Sequence, residues 1–110
     1  MGKKDKDQQA EAFQNQWLLL ASELEGIYIE IDKLSKKSPA ARISDLELAS
    51  INDLVDLVKN LLQADPFINK LRPFVPAGEN PEYRESLIVL RQMIQGMNRY
   101  APQYKAIRTK

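Results

Sequence analysis

The chain has 110 residues, 44% hydrophobic and 28% charged, with a formal net charge of +1 and neither cysteine nor histidine. That is an ordinary composition for one globular domain, and it excludes disulfides, thiolate nucleophiles, Cys- or His-ligated metals and imidazole acid–base chemistry. A charge so near zero supplies no global field to draw the protein to nucleic acid or membrane.

The stretch Met1–Gln9 is charged and has no apolar run of a signal peptide, and Lys6 stands where a myristoylation signal wants Ser or Thr. Residues 1–6 read as a disordered tail, 7–104 as a helical bundle domain and 105–110 as a basic C-terminal tail. The longest clear apolar run, Trp17 to Ala21, falls far short of the ~20 residues of a membrane span. Absence of cysteine from so small a domain points to the cytoplasm.

From Asp7 to Leu34, Phe13, Trp17, Leu20, Leu24, Ile27, Ile31 and Leu34 recur at spacings of 4, 3, 4, 3, 4, 3. This is the repeat of a helix packed along a coiled-coil-like seam. Gly26 interrupts it at a cost of about 1 kcal/mol against alanine, which suggests close approach of another helix beside Leu19. A linker with Pro39 follows, and Ser44 with Glu47 has the spacing of a capping box. In the second helix Leu48, Ile51, Val55, Val58 and Leu62 form a seam, which Leu46, Leu54, Leu57 and Leu61 widen to an arc of around 200°. So wide an arc implies two neighbours.

Asp65-Pro66 reads as an N-cap with proline at the first helical position of a short turn carrying Phe67, Ile68 and Leu71. Pro73 and Pro76 stop that turn, and 67–75 would cap one end of the domain. Asn80-Pro81 repeats the cap-plus-proline signal. Tyr83, Leu87, Leu90, Ile94, Met97, Ala101 and Tyr104 then give a third seam, broken by Pro102. The fold class is all-α: a three-helix antiparallel bundle, up-down-up, with a short helical turn between helices 2 and 3. Its expected core is Trp17, Leu24, Ile31, Ile51, Val55, Val58, Leu90, Ile94 and Met97.

The carboxylates Glu23, Glu30, Asp32, Asp53 and Asp56 fall opposite the apolar stripes and read as solvated faces. Gly78 lacks the spacing of a phosphate loop, and no base stands ready to activate a serine. Two surface features remain. Leu18 and Ile29 lie about 140–160° from the first seam, and with Leu46 and Leu57 they suggest a protein interface. Arg84, Arg91 and Arg99 share the outer face of helix 3, and with Tyr104, Lys105 and Arg108 they could grip phosphates or an acidic partner. The reading is a non-enzymatic protein–protein interaction module, a small subunit or adaptor of a larger assembly or a homo-oligomer. It expects no cofactor, no metal, no membrane and no small-molecule substrate. The alternative is an accessory subunit that binds nucleic acid weakly through its basic C-terminal third.

Overall fold

The computed structural model describes residues 2–74, 78–102 and 107, with only the backbone for 2–7. It is an all-α bundle of three helices, α1 (Gly2–Lys37), α2 (Asp45–Leu61) and α3 (Tyr83–Arg99), with a 3-10 turn at Ile68–Lys70 between the last two. All nine expected core residues are buried: Trp17, Leu24, Ile31, Ile51, Val55, Val58, Leu90, Ile94 and Met97. Residues 2–6, set apart in the sequence as a tail, carry helical backbone continuous with α1.

Helix α1 is antiparallel to both partners. The Trp17 indole, towards the start of α1, donates from Nε1 to the Met97 carbonyl near the end of α3 at 2.8 Å. Helices α2 and α3, however, run in the same direction, so the up-down-up order is overturned. The Tyr83 hydroxyl, at the start of α3, donates to Glu47 in the first turn of α2 at 3.2 Å. At the other end Arg99, the last residue of α3, grips Asp65, just beyond α2. Burial, then the neighbouring Glu47 carboxylate, hold the Tyr83 phenol above its ordinary pKa.

The parallel pairing needs a connection that returns along the bundle, and the prolines supply it. Residues before Pro73 are pushed towards extended backbone and cannot continue a helix. Lys59 Nζ donates to the Leu71 carbonyl at 2.8 Å. Asn52 holds both backbone groups of Phe74. Asn80 Nδ2 reaches the Ile43 carbonyl at 2.9 Å and the Asp45 carboxylate at 2.8 Å. The chain thus descends past α2 from its end to its start, pegged by side chains. Only the 3-10 turn caps an end, where the whole of 67–75 was expected to do so.

The capping box forms: Ser44 N–H donates to Glu47 at 2.8 Å and Glu47 N–H to Ser44 Oγ at 3.1 Å. Asn80 does not cap α3; Glu82 does, in a second capping box with Glu85, two residues later than expected. Asn80 is taken up instead by the α1–α2 linker, where Arg42 and Glu82 form an isolated antiparallel bridge. In α1 the buried line runs Trp17, Ala21, Leu24, Tyr28, Ile31, while Leu20, Ile27 and Leu34 are half-buried flanks. Gly26 is exposed with nothing within 4 Å, so no helix of this chain approaches it. Gly96 has that role: a Cβ there would collide with the Ile68 side chain. In the expected basic tail, the described residue Ile107 is buried, with its backbone N–H and carbonyl both bonded to the Asn98 side chain.

Candidate functional site

Four residues were singled out as an interface, and the structure divides them between two places. Leu18 and Ile29 are 40% and 44% exposed. On a 100° helical wheel they lie about 80–100° beyond Tyr28, on the side of α1 away from Ile27. Leu46 and Leu57 lie on one line of α2, the first 79% exposed. Leu57 borders the furrow between α1 and α2, whereas Leu18 and Ile29 do not.

That furrow is an unfilled surface between two helices of the bundle. Two adjoining depressions, about 390 and 200 Å³, share Leu57 as a common wall. Ile27, Leu54, Leu20 and Leu61 line it with carbon; Leu20, Ile27 and Leu61 are half-buried flanks of their helices, and Leu54 is a buried core residue at its floor. Leu19 stands on the α1 rim at 70% exposure. It was missed as a site residue, although its place one heptad before Gly26 was visible in the sequence. Exposing so large a leucine opposite Leu57 leaves contiguous apolar surface of the kind that marks interaction sites.

The charge of the furrow has one sign. Glu23, Glu30 and Asp53 line the larger of its two depressions, and among the described residues no basic side chain lines either. None of the three forms an ion pair among the described residues, whereas Asp32 is tied to Lys36 at 3.2 Å. Among the described residues no group of three or more acidic side chains is arranged to hold a metal ion.

The basic stripe of α3 is partly engaged within the molecule. Arg84 pairs with its own helix cap, Glu82, at 3.1 Å. Arg91 Nε donates to the Tyr28 hydroxyl at 3.3 Å, with its guanidinium 6.0 Å from the Tyr28 ring centre. Arg99 donates from Nε and Nη2 to Asp65 at 3.1 and 2.9 Å. Tyr104, Lys105 and Arg108 lie outside the described residues.

Asp65 is the one buried charged side chain among the described residues, and the sequence did not reveal it, since its cap role alone predicts an exposed carboxylate. It does cap the 3-10 turn, accepting the N–H groups of Phe67 at 2.8 Å and Ile68 at 3.0 Å. Burial works to raise its pKa, but the N–H of Ile68, Arg99 and the N–H of Phe67 together outweigh it and hold the carboxyl below its ordinary value.

No described helix is long and apolar enough to cross a membrane. Compared with known proteins, the chain matches no family model, no curated protein and no solved structure, so its function has to be read from these surfaces.

Proposed function

We propose that this protein is a non-enzymatic interaction module, a small subunit or adaptor, that takes an amphipathic helix of a protein partner into the α1–α2 furrow. A fourth helix laid there would complete a four-helix bundle, with apolar anchors at helical spacing against Leu19, Leu57 and the carbon floor. The observation that carries the reading is the combination of exposed Leu19 and Leu57 with three rim carboxylates that form no ion pair among the described residues. Charge complementarity therefore specifies a basic partner helix, with Lys or Arg flanking its leucines. A second copy is less suited, because the outer face of α3 offers Ile88 among charged and amide side chains. Binding of nucleic acid through the arginine stripe also has less support, since Arg91 and Arg99 already face Tyr28 and Asp65. The absence of cysteine from so small a domain supports a cytoplasmic setting.

The test uses a fluorescein-labelled helical peptide with a leucine seam and lysine flanks, read by anisotropy. Micromolar affinity that weakens with salt is the expected result. Leu57→Glu should abolish it, Asp53→Lys should weaken it, and the Leu18→Glu, Ile29→Glu double variant should leave it unchanged. Equal binding by Leu57→Glu and the parent overturns the reading. Loss of binding in the double variant alone moves the interface to the outer face of α1.

A further inference from the structure

A second groove, with a lining separate from that of the furrow, lies between the 3-10 turn with its following residues and α3. Its volume is about 670 Å³, within the range of roughly 300–1,000 Å³ typical of ligand sites. Ile68, Leu71 and Val89 give it apolar walls, and Phe67 stands beside it 67% exposed. So large an aromatic surface left in water beside a concavity is unusual for a residue with only a packing role.

The electrostatics of this groove are opposite to those of the furrow. Lys70, Arg72 and Arg99 line it, with Gln92 and Gln95, and among the described residues no carboxylate does. Asp65 neutralises Arg99 from behind and fixes its guanidinium, which lies 5.4 Å from the Phe67 ring centre. Arg99 is therefore a rigid wall that braces Phe67. Lys70 and Arg72 have no ion pair among the described residues, so the groove keeps two uncompensated positive charges. The amides of Gln92 and Gln95 add donors and acceptors along its α3 side.

We infer that this groove binds an acidic peptide segment, seating an apolar side chain between Phe67, Leu71 and Val89 while Lys70 and Arg72 meet its carboxylates. A peptide fits better than single-stranded nucleic acid. Strand-binding grooves stack successive bases on several aromatic platforms, and here Phe67 is the single aromatic among the described residues that line the groove, with an aliphatic floor. The inference is independent of the furrow, because among the described residues none lines both.

The experiment titrates the full chain into a fluorescein-labelled octapeptide of alternating glutamate and leucine. A glutamine–leucine counterpart and a labelled twelve-residue oligothymidylate run alongside. The acidic peptide should bind with Kd on the order of tens of micromolar at low salt, and the uncharged peptide at least about ten-fold more weakly. Lys70→Gln with Arg72→Gln should weaken the acidic peptide about ten-fold. Phe67→Ala should weaken it about three- to ten-fold. Both variants alter exposed side chains, so melting temperatures near the parent's will show that the fold is kept. The side-chain amide resonances of Gln92 and Gln95 should shift on titration, and Leu57→Glu should bind as the parent does. The proposal is overturned by the absence of saturable binding up to millimolar peptide, or by equal affinity in the variants. Equal binding of the uncharged peptide, or tighter binding of the oligothymidylate, overturns it as well.

Discussion

Asn52 holds Phe74 as a neighbouring strand would: its Nδ2 donates to the Phe74 carbonyl at 2.8 Å and its Oδ1 accepts the Phe74 N–H at 2.7 Å. A residue in the middle of α2 thereby fixes the returning chain, and with it the direction of α3. Asn52→Ala leaves both backbone groups of Phe74 without these partners in a half-buried position. The expected cost is about 1–3 kcal/mol, read as a lower urea midpoint at unchanged m-value. A midpoint equal to the parent's would show that the peg is incidental.

Asp65 and Arg99 should give stability a defined acid response. The carboxyl is held below its ordinary pKa in the folded state. Its contribution is therefore present above the unfolded value of about 3.9 and is lost as pH falls through the folded value. Arg99→Gln removes the guanidinium and leaves only the N–H groups of Ile68 and Phe67 to oppose burial, which acts to raise the carboxyl pKa. The variant should then lose stability already at neutral pH and show a flatter or reversed pH dependence of Tm between about pH 3 and 6. Parallel curves for variant and parent would contradict this.

The two helical glycines predict opposite signs for one substitution. Gly26 is exposed in mid-helix with open space around it, so Gly26→Ala should stabilise by about 0.5–1 kcal/mol through helix propensity. Gly96 is buried under Ile68. There Gly96→Ala gains the same propensity but overpacks the contact at about 1–3 kcal/mol, for a net loss. Thermal melts of the two variants should move in opposite directions.

Within α1, burial grades the cost of truncation. Leu24→Ala and, in α3, Ile94→Ala each empty a fully buried site and should cost about 2–5 kcal/mol. Leu20→Ala, on the half-buried flank towards α2, should cost clearly less. Equal losses at Leu20 and Leu24 would restore the seam as it reads from spacing alone.

Ile107 is buried and bonded, so removing it should cost stability. Asn98 holds its N–H at 2.8 Å and its carbonyl at 3.0 Å, the same device that Asn52 uses on Phe74. Ending the chain after Pro102 should lower Tm by several degrees, as expected for losing about 1–3 kcal/mol in a domain this small. An unchanged Tm would return 105–110 to the status of a tail.

The three helices, their class and nine core positions were legible because helix periodicity is local: a 3.6-residue repeat sorts Trp17, Ile51 and Ile94 inward whatever the partner. The Ser44–Glu47 box was legible for the same reason, since both of its partners lie within one turn. Direction was not legible. Whether α3 runs with or against α2 depends on Asn52, Lys59 and Asn80 meeting backbone groups 12 to 37 residues away. No periodicity records such pairings. The site followed the same division. Leu46 and Leu57 showed as surplus apolar residues on α2, but only packing sets Leu57 beside Leu19, Glu23 and Glu30 across a furrow. Likewise Asp65 announced a cap, while its burial and its capture of Arg99 required α3 to end beside it. Local spacing determines which face of a helix is apolar; the path of the chain between helices decides which faces meet.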